Sequence, residues 1–561
     1  MNTDSHRFFL EIVCLLEHIA SGKNTVFRAM VVITYRIVEN AGKKNLFWYH
    51  GRMSTIASKI ACVEVRRLFR PEILQFLSVI ARDRPSGIYL AGGTVRDLLL
   101  GRKPADVDIT LCCHAGAWAR ELARLSGGTF VELGREEDAG RVVWRGETFD
   151  FSSFRSGAVT IEQELAARDL SVNAMALSID PLVNRAACRS NEEFMVIDVV
   201  GGRADLAAGV IRLCSAQAIR DDPLRLLRVF RFGATLDFSV EAATLDRVER
   251  ERQLIARIAR ERIAHELDII MESRRAGHAF SLMARTGLLF EIMPELLAGV
   301  GMEQPASHHL DVFDHLLETL RQAERIERDP GYFFPGKGAV MQAWLARKHN
   351  RRLLKWAALF HDLGKPASYG INEDKGGRIT FYNHDRAGVS LFAGIAERLR
   401  WSGLDIRTVS LLIGLHMRPF FLANNARQDA LTLKACLRLV RKVENNLPGL
   451  FMLAMADALA GKGEDSPEKM EQEVAALFER LYQVWREHVV PVNEAKPLLT
   501  GRDLIDELGL APGPLFRHIL ERVREAQMEH RISTRTQALT LAAEAAARES
   551  ANSISNEALR Q

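Results

Sequence analysis

Cysteine is scarce: the 561 residues hold seven, at positions 14, 62, 112, 113, 188, 214 and 436. No two of them form a CxxC pair or a zinc spacing, which argues against a zinc ribbon and a disulfide-stapled secreted module. An odd, scattered set reads as reduced, buried thiols in a cytoplasmic protein. Long apolar runs are missing as well. No stretch approaches the ~20 apolar residues of a membrane helix, so no membrane partner is expected. The apolar opening HRFFLEIVCLLEHIASG has the outline of a signal peptide, but Glu11 and Glu17 interrupt it and no convincing small-residue cleavage site follows. Met1 to about Arg52 reads as an extension, with Met53 a candidate start. An excess of one charge is lacking too. The net charge of +4 permits a nucleic-acid partner without arguing for one, because a balanced total can hide a basic face. Repeats and low-complexity tracts are absent.

What remains is globular: 47% hydrophobic and 26% charged residues, in a chain long enough for three or four domains. Apolar residues recur at helical spacing from Arg66 to Ala81. GIYLAGG then reads as a strand, TVRDLLLG as a helix closed by Gly101, ADVDITL as a half-buried strand and GAWARELARLSG as a helix. GTFVELG, RVVWRG and TFDFSSF follow as strands. This alternation predicts an α/β palm, a mixed sheet with helices, over residues 61–180, after an N-terminal extension at 1–60. Beyond Asp180 helical periodicity takes over and predicts an all-α neck and body at 181–300. From Arg203 to Arg285 every permanent positive charge in it is arginine. A third all-α block at 301–463 carries most of the histidines, and a C-terminal helical region fills 464–561. The polar tail after Glu549 is expected to fray.

Within the palm, LAGGTVRDLLLGRKPADVDITL ends on Asp106 and Asp108. Residues two apart on a strand face the same way, so two carboxylates stand side by side. Unpaired, they repel and one keeps a proton. A pair of divalent cations resolves the conflict: magnesium takes carboxylate oxygens together with substrate phosphates, and two metals clamp an in-line displacement. Gly92 and Gly93 let backbone approach a triphosphate, and Arg96 sits at the start of a helix, where amide dipoles favour anions. Asp150, in TFDFSS, is a candidate third carboxylate. The competing reading of Asp106 and Asp108 is a solvated edge strand, which the preceding Gly-Gly-x-x-Arg-Asp disfavours.

GGTVRDLLLGRKPADVDIT resembles the first motif of the class II tRNA nucleotidyltransferase and bacterial poly(A) polymerase superfamily. ARDLSVNAMAL, IDVVGGRADLAAGVIRL, RDDPLRLLRVFRF and RERIAHEL resemble the next four, in order. The likeness covers about Ile88 to Leu296 and, more loosely, the chain to about Ala543. It implies Mg2+ at Asp106 and Asp108, with tRNA, CTP and ATP as partners and addition of C or A to the RNA 3' end without a nucleic-acid template. It also implies that Arg168, Asp169 and Asn173 hold the ribose and phosphates, with Arg228 and Arg231 in the nucleotide-binding set. Ala167 and Asp221 replace the usual arginine and glutamate. If the fourth motif is one helix, Asp222 and Arg225 lie three apart on a shared face. Their acceptor and donor edges suit the amino-and-acceptor edge that cytosine and adenine share. The resemblance makes them an amino-acid template; the alternative is an ordinary intrahelical ion pair. Between Arg155 and Arg168 stands only SGAVTIEQELAA, where many CCA-adding members carry a longer basic loop. CCA-adding and CC-adding therefore both stay open, with A-adding or poly(A) synthesis as alternatives. A catalytically silent RNA-binding protein is a further alternative, against which Asp106 and Asp108 speak.

The histidine block carries HHLDVFDHLLETL, LFHDLGKPASY, FYNHDRAG, LLIGLHMRP and FMLAMADALAG. Histidines and carboxylates from separate helices can converge on a divalent ion. The set resembles an HD phosphohydrolase domain. By that resemblance His315, His361, Asp362 and Asp457 are core ligands of a divalent metal of unassigned identity, and His384 and His416 are accessory ligands or phosphate contacts. The implied reaction is hydrolysis of phosphomonoesters or 2',3'-cyclic phosphates. His308 and His309 read as satisfied core residues.

Overall fold

The strand signals resolve into one mixed sheet. Its strands are β1 (Ile88–Ala91), β2 (Val107–Leu111), β3 (Thr129–Glu132), β4 (Ala139–Trp144), β5 (Glu147–Ser153), β6 (Met175–Ser178) and β7 (Ile197–Asp198). This computed structural model describes residues 56–84, 87–133, 138–155, 157–185, 192–463 and 467–558. The N-terminal extension expected at 1–60 falls almost wholly outside them. The described residues from Ala57 onward belong to one compact unit, Ala57–Gln561.

The strands lie in the order β3-β4-β5-β2-β1-β6-β7, with β2 and β5 parallel and all other neighbours antiparallel. β7 lies past the palm limit that the sequence pattern sets at 180; two residues of strand are too few to show a period. Val107, Ile109 and Leu111 alternate into the core beside Phe149 and Phe151. Helices α1 (Pro71–Asp83) and α3 (Ala115–Ser126) cover that core, and α3 buries Trp118 completely. Between β1 and β2, α2 (Gly93–Leu99) starts directly at the glycine pair.

The fourth motif is not one helix. Pro223 disfavours helical backbone in the residue before it, and Asp222 is extended at φ −145°, ψ 101°. The segment therefore splits into α4 (Ala218–Asp221) and α5 (Arg225–Leu236), and α5 packs on α6 (Arg260–Glu272).

The histidine block is helical: α7 (Val312–Arg328), α8 (Asn350–Phe360), α9 (His384–Arg398), α10 (Gly403–Leu415) and α11 (Leu447–Ala460). The hairpin β8 (Tyr369–Asn372) and β9 (Arg378–Phe381) interrupts them. Helix α11 is apolar almost all round and is buried among α7, α8 and α10, as such a helix must be. Gly364 lies so close to α9 that a Cβ there would meet the His384 carbonyl oxygen at 2.1 Å, so only glycine permits this approach. The stretch Gly403–Arg427 has the length and hydropathy of a membrane-crossing helix; 44% of its most apolar window is buried, and the chain turns within it at His416 and Met417. In the C-terminal region, helices α12 (Met470–Val484), α13 (Pro514–Met528) and α14 (Arg535–Ala558) follow. Ile519 and Val523 of α13 pack with Ala538 and Ala542 of α14. The tail expected to fray after Glu549 continues as helix to Ala558.

Cys112, Cys113, Cys214 and Cys436 form no disulfide, the first two being exposed with their sulfurs 3.5 Å apart, and Cys62 is disulfide-bonded. The expectation of buried, reduced cysteines fails at Cys62, Cys112 and Cys113, because spacing along the chain does not say which sulfurs meet in space.

Candidate active site and metal centre

Asp106 sits in the bend just before β2, and Asp108 lies on the strand itself. Asp108 is largely buried. Its Oδ2 accepts from the Thr94 amide at 3.3 Å, and Thr94 Oγ1 is 3.4 Å away. Burial pushes its carboxyl pKa up; the Arg168 charge pulls it back, while Asp150 and Asp106 push it further up. Against this carboxylate lies the glycine pair. A Cβ on Gly92 would stand 2.8 Å from Arg168 Nη1 and 3.4 Å from Asp108 Oδ2. One on Gly93 would stand 3.3 Å from Asp108 Oδ2 and 3.5 Å from Arg96 Nη2. Gly92 also has φ +68°, which side-chain-bearing residues avoid. The space between a high-pKa carboxylate and two guanidinium groups is thus kept open by the missing side chains. A divalent cation with its phosphate fits that donor set.

Asp150 stands beside Asp108 in the register of β2 and β5. Both its oxygens are taken: Arg141 donates through Nε at 2.7 Å and through Nη2 at 2.6 Å, and the same Nη2 lies 3.9 Å from Asp106 Oδ2. The candidate third carboxylate is thus paired with a guanidinium. Arg141 itself was missed. RVVWRG reads as a plain strand, and only the pairing of β4 with β5 brings the arginine across.

The second motif joins palm to neck. Arg96 Nη1 donates to Asn173 Oδ1 at 2.7 Å and stacks on Phe232 of α5 at 5.4 Å. Arg168 Nη2 donates to Thr110 Oγ1 at 3.1 Å. Asp169, expected to hold nucleotide, accepts from Arg228 Nε at 2.7 Å and from the Leu170 amide at 2.8 Å. Burial raises its carboxyl pKa, but the Arg228 charge and hydrogen bond outweigh that and hold it at about 2. It is a buried tie between palm and α5. Arg231 pairs with Glu266 of α6 at 2.5 Å and stacks on Phe232 at 3.9 Å, so it too bridges helices.

The side chains of Asp222 and Arg225 do not pair with each other among the described residues, although the Arg225 amide donates to the Asp222 carbonyl at 3.0 Å. Asp222 Oδ1 accepts from the Leu224 amide at 3.1 Å, and Oδ2 is 3.5 Å from Arg262 Nη2. Arg225 Nη1 donates to the carbonyls of Ala218 and Arg168, at 3.2 and 3.4 Å. The intrahelical ion pair is thereby excluded, because the helix is broken between them.

The histidine block assembles all six of its candidate ligands. His315, His361 and Asp457 form one buried group, and Asp362, His384 and His416 another. Asp362 spans the two: its Oδ2 is 3.2 Å from His361 Nε2, and its Oδ1 is 3.2 and 3.4 Å from His384 and His416 Nε2. Backbone carbonyls fix the tautomers. The Nδ1 atoms of His361, His384 and His416 face the oxygens of Ala358, Phe381 and Ile413 at 2.7–2.9 Å. A carbonyl only accepts, so each Nδ1 carries a proton and each Nε2 turns inward, where it offers a lone pair whenever its ring is neutral. His384 and His416 Nε2 then face each other at 3.2 Å, and buried Asp362 Oδ1 lacks a hydrogen-bond partner. Two divalent cations fit these ligands. Burial lowers the pKa of His361, but the Asp362 and Asp457 charges prevail and push it up to about 10. A proton there does what a cation's charge would do.

A cavity of about 800 Å3 opens onto this centre, with Arg378, Arg386, Arg418 and Lys462 on its wall beside Phe381 and Tyr382. His308 also lines it and has a buried, unpartnered Nδ1, against the expectation of a satisfied core residue.

Residues 88–212 match the Poly A polymerase head domain and 237–299 the probable RNA and SrmB-binding site of polymerase A. Residues 312–461 match the HD domain, and 428–543 match tRNA nucleotidyltransferase domain 2. Sheet, cradle and buried centre thus define a nucleotidyltransferase of the poly(A)-polymerase-head type that carries an HD domain. The A-adding tRNA nucleotidyltransferase of Deinococcus radiodurans is 32% identical over 459 residues, 80% of this chain and 93% of that protein. The CC-adding tRNA nucleotidyltransferase of Thermus thermophilus is 30% identical over 81% of this chain and 92% of its own length. The chain belongs to the class II tRNA nucleotidyltransferase family. The Thermotoga maritima CCA-adding enzyme complexed with tRNA shares the fold over 88% of this chain and 100% of that one, at a TM-score of 0.55 and 20% identity.

Proposed function

We propose that the palm transfers C, A or both from CTP and ATP to the 3' end of tRNA without a nucleic-acid template, with magnesium as its metal. The cradle carries this reading: Gly92 and Gly93 leave room beside Asp108, while Arg96 and Arg168 face the same space. Bound divalent ions would stabilise charge on the attacking and leaving oxygens of the displacement. The chain's own part is to hold the triphosphate between guanidinium groups and to keep Asp108 dry and fixed by Thr94. Asp222 and Arg225 stand apart at the mouth of α5 and are assigned to the base edge. A hydrogen-bonding site of this kind rejects uracil and guanine because a mismatched buried group costs roughly 1–3 kcal/mol. The HD centre is assigned a metal-dependent phosphohydrolase activity on phosphomonoesters or 2',3'-cyclic phosphates, supported by its six ligands and the arginines of the adjoining cavity. The assigned substrate places the enzyme in the cytoplasm.

Labelled CTP and ATP, supplied separately to tRNA lacking its CCA end and to tRNA ending in CC, test the reading. C alone on the first RNA marks CC-adding, A alone on the second marks A-adding, and both mark CCA-adding. Long A tracts on an unstructured RNA would instead mark poly(A) synthesis. No incorporation on any RNA would remove the transferase reading.

A further inference from the structure

The palm carries a guanidinium that neither the cradle nor the base-selecting pair uses. Arg141, Asp150 and Asp108 are direct neighbours on adjacent strands, Arg141 opposite Asp150 and Asp150 opposite Asp108. Residues opposite one another across a sheet share a face, so one rung presents arginine, aspartate and aspartate in line. On the far side of Asp108 lies the glycine cradle. Asp150 grips Arg141 side-on through Nε and Nη2, and the Arg141 side chain is 37% exposed. Its Nη1 donates no hydrogen bond among the described residues.

In-line displacement sets attacking and leaving groups on opposite sides of the reacting phosphorus. With the triphosphate lodged between Asp108, Arg96 and Arg168, the leaving pyrophosphate falls on the cradle flank. The attacking RNA end then falls on the flank of Asp150 and Arg141. An RNA end brings backbone phosphates, and a half-exposed guanidinium with one edge pinned and one edge open is a phosphate ligand. Resting on the nucleotidyl-transfer reading above, we propose that Arg141 binds a backbone phosphate at the 3' end of the acceptor RNA, and that Asp150 is its positioning residue and not a metal ligand. The pairing of β4 with β5 thus divides the site into a nucleotide flank and an acceptor flank, with Asp108 between.

The test measures binding of tRNA lacking CCA, without nucleotide, by filter binding over a range of KCl concentrations. It compares wild type with Arg141→Gln, Arg141→Lys and Asp150→Asn. KM for CTP and ATP and Mn2+ affinity by EPR are read alongside. Arg141→Gln is expected to weaken tRNA binding about tenfold, as loss of a charged hydrogen bond does. It should also flatten the log–log salt dependence by about one phosphate's worth, roughly 0.7–1, while nucleotide KM stays at the wild-type value. Arg141→Lys should restore the salt slope, because the charge is kept. Asp150→Asn should weaken tRNA binding and leave Mn2+ affinity unchanged. An unchanged tRNA affinity and slope in Arg141→Gln, or weaker Mn2+ binding in Asp150→Asn, overturns the proposal. Should Arg141→Gln not fold, the salt slopes of Arg141→Lys and Asp150→Asn decide the matter. Wild-type incorporation is measured on the same preparation: its absence removes the transferase reading, whereas unaltered binding in the variants removes only this one.

Discussion

Asp169→Ala separates a structural tie from a nucleotide contact. The family motif gives Asp169 a place at the ribose and phosphates, but its side chain is committed to Arg228 at 2.7 Å and to the Leu170 amide. Its carboxyl is held at about 2, below the ordinary 3.8, although burial alone would raise it. At 1.36 kcal/mol per pH unit that depression corresponds to about 2.5 kcal/mol of stability, as an order of magnitude. The sign follows from the direction. The folded state prefers the ionised carboxylate, so the contribution is complete above about pH 4 and disappears as the pH falls through 3.8 towards 2. Removing the carboxylate also strands the charge of Arg228, and breaking a buried pair costs about 3–5 kcal/mol. Equilibrium urea denaturation at neutral pH should show a loss in this range, smaller at pH 3 than at pH 7. KM for CTP and ATP should move far less than it does in Arg168→Ala. A variant as stable as wild type but with a large rise in nucleotide KM would refute the tie and restore the ligand.

Three other outcomes are expected. Gly92→Ala meets a backbone conformation at φ +68° and a contact at 2.8 Å with Arg168 Nη1; it should cost about 1–3 kcal/mol of stability and raise nucleotide KM, checked by thermal unfolding and initial rates. Asp362→Asn removes the carboxylate shared by both ligand groups and by Lys365 at 2.5 Å; phosphohydrolysis and metal uptake at the HD centre should disappear while nucleotide incorporation continues, and loss of both activities would show that the centres are not independent. Arg225→Ala removes donors from the proposed base edge; incorporation of UTP or GTP should rise relative to CTP or ATP in competition assays, and unchanged selectivity would take Arg225 out of base choice.

The sequence was most informative where chemistry depends on a short local pattern. Asp106 and Asp108 were read as one strand face, whereas only Asp108 lies on β2 and Asp106 sits in the bend before it; Gly92 and Gly93 mark the expected close approach. The six candidate histidine and aspartate ligands were named by the resemblance of their motifs to an HD domain, and the structure brings them together in two buried groups. What stayed hidden depended on pairing between distant segments. Arg141 reaches Asp150 only because β4 lies beside β5, and nothing in RVVWRG records its neighbour. The use of Asp169 as a tie depends on Arg228, 59 residues away, arriving on α5. The break at Asp222 was locally visible, since Pro223 follows it, but helical periodicity on both sides masked it. His308 read as core because its unpartnered Nδ1 emerges only beside the assembled cavity.

The most direct test of the central claim is single-turnover incorporation of labelled CTP and ATP into tRNA lacking its CCA end, with Asp108→Asn set against wild type in magnesium. A carboxylate that holds metal against the incoming triphosphate predicts incorporation by the wild type and a fall of several orders of magnitude in the variant, at undiminished thermal stability and tRNA affinity. Equal rates in the two proteins would contradict the claim outright.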